Sequence, residues 1–141
     1  MKLWVIFAIL SAVFAGLTGV LAKQGLDGIS SELGMVVRTA FIFVFVLLFG
    51  WFMVPKAELG QFTWHNALWL GVSAVTTFLS WVFYYKALKE GDVGTVALID
   101  KGSFVVAVVL GWLVLKEEFS WRVLAGAGLI LVGVIVAAWK K

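Results

Sequence analysis

The chain contains no cysteine, one proline and one histidine in 141 residues. Without cysteine, disulfide bonds and thiolate metal sites are excluded. Charged residues make up only 13% of the chain, whereas about a quarter is usual in a soluble domain. Hydrophobic residues make up 63% and the mean hydropathy is +1.09, which is more apolar surface than a soluble fold of this size can bury. The composition therefore predicts an all-α integral membrane protein with the lipid bilayer as its solvent.

Five hydrophobic windows follow one another along the chain, and each is long enough to cross the hydrocarbon core. About 20 apolar residues suffice for one crossing. Pro55 lies where the second window should end, and tryptophans cluster near the predicted ends, as in an aromatic belt. The sequence predicts one domain, residues 1–141, with transmembrane helices over residues 3–22, 33–54, 67–85, 93–115 and 123–139.

The basic residues outside the spans bear on membrane orientation. An odd number of spans places the two termini on opposite sides, and loop lysines and arginines set which side is which. The side of Met1 has Lys2, Lys56, Lys116 and Arg122, and the other side has Lys23, Lys86, Lys89, Lys140 and Lys141. This weak bias leaves two alternatives: one orientation that the charges do not define, or insertion in both orientations.

Three charged residues fall inside the predicted spans: Arg38, Asp100 and Lys101. A charge at membrane depth costs about 2.5 kcal/mol or more, so such residues usually face the bundle or water and serve a function. The helix directions place all three near the side opposite Met1, in one layer with Lys23 and the aromatic residues that end the third span. We predict an ion pair between Arg38 and Asp100, with a purely structural role for that pair as the alternative.

The third span carries hydroxyl groups on one helical face: Ser73, Thr77, Ser80 and Tyr84. Such a face can line a wet cavity. Alternatively, the hydroxyls bond to their own backbone or to a neighbouring helix. Both interpretations stay open at this point.

Several classes of function find no support in the sequence. The basic residues form no stripe that would bind nucleic acid. There is no phosphate-binding loop, no zinc-ligand spacing and no Ser-His-Asp set. The single histidine, His65, is expected in a loop on the opposite side from Asp100. We therefore predict no enzyme activity, no metal and no cofactor.

A set of short motifs, in order along almost the whole chain, resembles the five-helix, single-domain EamA-like proteins of the drug/metabolite transporter superfamily. The motifs are Phe14-Ala15-Gly16-Leu17-Thr18, Leu21-Ala22-Lys23, Val37-Arg38-Thr39, Leu79-Ser80-Trp81, Tyr84-Tyr85-Lys86-Ala87-Leu88, Ile99-Asp100-Lys101, Leu115-Lys116-Glu117-Glu118 and Gly126-Ala127-Gly128-Leu129-Ile130.

The chain departs from the family pattern at three places. Leu98 stands where the family usually has a proline, Gly102 where it has a larger residue, and Lys116-Glu117-Glu118 where it has Gly-Glu-Arg. Without the proline, the fourth helix is expected to run straighter.

The resemblance implies a transporter of small solutes. Most relatives have two five-helix halves in opposite orientations, so one five-helix chain is similar to half of an inverted-repeat fold and needs a partner, such as an antiparallel second copy. We expect a homodimer in the inner or plasma membrane, working by alternating access. The residues expected to bind the solute or gate the site are Arg38, Asp100, Lys101, Lys23, Trp81, Tyr84, Ser80 and Thr77. The alternative is a non-transporting membrane subunit that packs against a partner protein.

Overall fold

A computed structural model describes residues 2–118 and 120–139. Lys140 and Lys141, which entered the comparison of basic residues, lie outside the described residues. The helices are α1 (Leu3–Gly25), α2 (Ser31–Met53), α3 (Lys56–Leu59), α4 (Trp64–Glu90), α5 (Val93–Asp100), α6 (Ser103–Leu115) and α7 (Trp121–Ala138).

Among the described residues, five stretches of helix are long and apolar enough to cross a membrane: α1, α2, α4, α5 together with α6, and α7. They coincide with the five predicted windows, so the predicted all-α fold with five transmembrane helices is confirmed. The clearest differences are at α4, which extends beyond both ends of the window 67–85, and in the fourth span, which is not one continuous helix.

The exposed surface of these helices is strongly apolar. Within the part of the chain that the structure describes, the buried hydrophobic side chains are Leu26, Tyr85 and Leu88. Large side chains of the spans, such as Phe45 on α2, are mostly exposed. Because so much apolar surface is unfavourable in water, lipid must cover it.

Side-chain caps define where α2 and α4 begin. Ser30 precedes α2 and its hydroxyl accepts a hydrogen bond of 3.2 Å from the backbone N–H of Leu33. Before α4, the Thr63 hydroxyl accepts from the Asn66 N–H (3.3 Å) and the Asn66 side-chain oxygen accepts from the Thr63 N–H (3.2 Å). This reciprocal capping box starts α4 at Trp64.

His65 therefore lies in the first turn of α4, and its predicted position in a loop was wrong.

Residues 22–90 form one compact unit, in which α2 packs against α4. The turn between α1 and α2 contains Gly28 in the left-handed region, at φ 70°. Leu26, in the same turn, is 2% exposed and lies against the backbone of Gly34 on α2. This close approach requires the absence of a side chain at Gly34.

The described residues before Ala22 and after Glu90 form a second unit, in which α5 and α6 pack against α7. The fourth span is interrupted here between Asp100 and Ser103. The Gly102 N–H bonds to the Ile99 carbonyl at 2.9 Å, three residues back, which is the tighter 3₁₀ pattern. A Cβ atom at Gly102 would approach the Ile99 carbonyl oxygen to 3.0 Å.

The fourth span is interrupted without a proline, and that it runs straighter than in the family stays a prediction. The Phe104 N–H bonds to the Lys101 carbonyl at 3.1 Å and the Val105 N–H to the Gly102 carbonyl at 3.0 Å, so the three-residue pattern continues into α6. Glycine disfavours the helix interior by about 1 kcal/mol relative to alanine. The break falls at Lys101 and Gly102, three residues after Leu98, the position of the family proline.

Gly34 and Gly50 on α2 give a matched pair of substitutions. Gly34→Ala is expected to destabilise the protein, because its Cβ would collide with the buried Leu26, and overpacking costs about 1–3 kcal/mol. Gly50→Ala has nothing within 4 Å of its Cβ and is expected to be neutral or stabilising. The measurement is the midpoint of thermal unfolding in detergent. An equal midpoint for the two variants would contradict the packing of Leu26 on Gly34.

Candidate functional site

Arg38 is the central charged residue of the unit formed by residues 22–90. It lies seven residues after the start of α2, about 10 Å along the helix axis from Ser31. Its guanidinium carbon lies 4.8 Å from the centroid of the Trp81 ring and 6.0 Å from that of Tyr85. Tyr84 meets Tyr85 edge to face at 6.3 Å. Cation–π attraction of this kind stabilises a partly desolvated cation.

The three lysines at the same end of the unit have protein partners. The Lys23 ammonium donates to the carbonyls of Leu88 (2.6 Å) and Lys89 (3.1 Å) near the C-terminus of α4. Lys89 in return donates to the Leu26 carbonyl at 2.8 Å. Lys86 lies 3.8 Å from the Glu32 carboxylate. Positive charge is favourable at a helix C-terminus, so these bonds stabilise the contact between the last turn of α1 and the C-terminal end of α4.

A cavity of about 630 Å³ lies between α2 and α4. Most of its wall is apolar, and its polar side-chain groups are hydroxyls and the indole N–H of Trp81. Trp81 belongs both to this wall and to the Arg38 contact, whereas Arg38 itself is not among the residues that line the cavity. The residues that line the cavity are Met35, Val36, Thr39, Leu70, Ser73, Ala74, Thr77, Phe78 and Trp81.

The threonine hydroxyls of the two helices donate to the backbone of the preceding turn. Thr76 and Thr77 donate to the Ser73 carbonyl at 2.8 and 2.9 Å, and Thr39 donates to the Met35 carbonyl at 2.7 Å. Both alternatives for the hydroxyl face therefore hold at Thr77, which lines the cavity while its proton bonds to the backbone. Such hydroxyls present oxygen lone pairs to a ligand.

The predicted site residues of this unit fall into two groups. Thr77 and Trp81 line the cavity, whereas Ser80 and Tyr84 are not among the residues that line it. Sequence reasoning missed Met35 and Thr39. Helical spacing could have grouped these two residues with each other, because Met35 and Thr39 are four residues apart and lie on one face of α2. Tyr85 was also missed as a partner of Arg38.

Asp100 and Lys101 belong to the other unit, where they flank the break between α5 and α6. The Lys101 ammonium lies 3.7 Å from the Asp100 carboxylate and 5.4 Å from the centroid of the Phe104 ring. Both side chains are about one-third exposed. The predicted pair of Asp100 with Arg38 joins residues of two different units and stays a prediction.

Comparisons with known proteins give the family of this chain. Residues 2–139 match the EamA-like transporter family. The chain is also similar to a protein of Sinorhizobium sp. described as "Uncharacterized transporter in cobO 3'region". The two are 36% identical over 139 residues, which cover 96% of each chain. No solved structure matches this chain significantly. The chain, with its five membrane-spanning helices, belongs to the EamA-like transporter family.

Proposed function

We propose that this protein carries a small solute across the inner or plasma membrane by alternating access, as an antiparallel homodimer. The family and the similar protein support a transporter. Five spans are an odd number, so two copies inserted in opposite directions would recreate the inverted repeat on which many carriers depend. In this proposal the chain is one transporter domain that contributes half of the working unit.

The observation that carries the proposal is an arginine inside a membrane span that contacts Trp81, a residue in the wall of a cavity of about 630 Å³. An ionisable residue at membrane depth is costly and is usually kept for a functional reason. In our proposal the solute occupies the cavity against Thr77 and Trp81, with Arg38 at its charged end. Asp100, Lys101, Lys23, Ser80 and Tyr84 are proposed to complete or gate the pathway.

Transport is tested with purified protein in liposomes loaded with a small-molecule extract of the expression host. Mass spectrometry then compares the solutes released from these liposomes with those released from protein-free liposomes of the same lipid. We expect at least one small solute to leave about tenfold faster or more when the protein is present. Identical release profiles for a correctly folded protein would contradict the transporter proposal and favour a subunit that packs against a partner.

The antiparallel arrangement predicts that the chain inserts in both orientations. Reporters that are active on only one side of the membrane are fused to the C-terminus, and comparable signals from both sides are expected. A matched control adds two lysines beside Lys56, which should shift the population towards one orientation because loop lysines determine topology. A signal from one side only, for the unaltered chain, would exclude the antiparallel homodimer.

A further inference from the structure

We infer that the solute is an amphipathic organic anion, whose carboxylate, sulfonate or phosphate group binds Arg38 while its apolar body fills the cavity between α2 and α4. This inference rests on the proposed transport function and adds the chemical class of the solute. Three observations support it: the charge of Arg38, the aromatic rings that pack on its guanidinium, and the hydroxyl groups of the cavity wall.

The charge of Arg38 is not neutralised within its own unit. Residues 22–90 are all described, and in them no carboxylate lies within ion-pair distance of the Arg38 guanidinium. The carboxylate of Glu32, on the same helix, lies instead against Lys86 and accepts from the Ser31 hydroxyl at 2.9 Å. A cation at membrane depth without a counter-ion in its own unit is unfavourable, so an anionic ligand would be attracted strongly at this position, and this attraction must exceed the cost of removing the anion from water.

The aromatic neighbours of Arg38 leave its hydrogen-bonding groups available. Trp81 and Tyr85 contact the guanidinium through their ring faces. A ring face attracts the cation but offers no oxygen that would accept a hydrogen bond from its N–H groups. The guanidinium has five N–H donors in a planar fork that matches two oxygens of a carboxylate or phosphate. The buried Tyr85 ring, 3% exposed, holds this arrangement in place.

The cavity wall favours an anion with an apolar body over a cation. No acidic residue lines the cavity, so a cationic solute would meet Arg38 without a compensating carboxylate. The hydroxyl protons of Thr39 and Thr77 are already donated to backbone carbonyls, so these groups solvate an anion poorly. The Ser73 hydroxyl and the Trp81 indole N–H are further donors of the wall but carry no charge, so the charged Arg38 is the favoured position for the anionic group. The apolar residues Met35, Leu70 and Phe78 remain for the body of the solute.

The test uses matched probes with one phenylalkyl body. Binding of 3-phenylpropionate, 3-phenylpropane sulfonate, 2-phenylethyl phosphate and 3-phenylpropylammonium to the purified protein is measured by equilibrium dialysis in a non-ionic detergent. We expect at least one of the anions to bind about tenfold more tightly than the ammonium compound. Arg38→Gln should lose about tenfold or more of that affinity, Arg38→Lys should lose less, and Lys56→Gln should lose none. The thermal unfolding midpoint of each variant separates loss of binding from loss of fold.

Four results would overturn the inference. The first is tighter binding of the ammonium compound than of the anions. The second is no binding of any of the three anions. The third is an anion affinity that Arg38→Gln, in a folded state, leaves unchanged. The fourth is a phosphatidylglycerol molecule seen by native mass spectrometry that Arg38→Gln releases and the anionic probes do not displace, because the group on Arg38 is then a lipid headgroup.

Failure of this inference is distinguishable from failure of the proposed function. If the release experiment finds a solute that is cationic or uncharged, the protein is a carrier and only the assigned solute class is wrong. If no solute is released although an anionic probe binds at Arg38, the anion site stands and the transport proposal is wrong.

Discussion

Replacing Arg38 with alanine is expected to slow transport of the solute by about 100-fold or more, equivalent to about 2.7 kcal/mol. The variant removes the charged group beside the cavity, and a hydrogen bond to a charged group contributes about 1.5–3 kcal/mol. It also leaves Trp81 and Tyr85 without the cation on their ring faces. Initial rates are measured in proteoliposomes with the solute identified by the release experiment.

The control for this prediction is Lys56→Ala. Lys56 lies in the short helix α3 between the second and third spans, and it also carries one positive charge. Its removal changes the net charge by the same amount but is expected to leave the rate within about twofold, because exposed single charges contribute little. Equal rates for wild type and a folded Arg38→Ala variant would contradict the role of Arg38 in transport.

Filling the cavity with a tryptophan at position 77 is expected to reduce transport by about 10-fold to 100-fold. Thr77 lines the cavity between α2 and α4, so an indole ring there occupies space that the solute needs. The adjacent Thr76 donates to the same Ser73 carbonyl but does not line the cavity. Thr76→Trp therefore adds the same volume to the same turn and is expected to leave the rate nearly unchanged.

A further variant separates volume from hydrogen bonding. Thr77→Val keeps the shape of the side chain and removes the hydroxyl, so a rate close to that of Thr77 would assign the effect of tryptophan to blocked space. Unfolding midpoints are measured for all three variants. If Thr76→Trp and Thr77→Trp slow transport equally at equal stability, the cavity between α2 and α4 is not the path of the solute.

The five spans could be predicted from sequence because the length of an apolar run is a local property, which can be read without knowing how the helices pack. The start of α4 was predicted too late because only apolar residues were counted. Thr63 and Asn66, which cap it, are polar residues whose spacing is itself a start signal. Reading that spacing would have placed His65 in a helix.

The candidate site could be predicted only in part. Arg38, Trp81 and Thr77 could be proposed from sequence because charged, aromatic and hydroxyl side chains are conspicuous in an apolar span, and their role in binding a solute stays a prediction. The contact of Arg38 with Tyr85 depends on how α2 packs on α4, which no spacing along one helix defines. The bonds of the Lys23 ammonium to α4 carbonyls depend on packing in the same way, and the role of Lys23 near the solute stays a prediction.

The spans differ in length, and this has a consequence for the lipid around them. Helix α7 has 18 residues and is about 27 Å long, whereas α4 has 27 residues and is about 40 Å long. A hydrocarbon core is about 30 Å thick, so α7 nearly matches it and α4 exceeds it by about two turns. The C-terminal turns of α4 carry Lys86, Lys89 and Glu90, which suit the headgroup region. In a bilayer of longer lipid chains, α7 would therefore be the first of the two helices to become too short for the hydrocarbon core, and its ends would be drawn into the apolar region before those of α4.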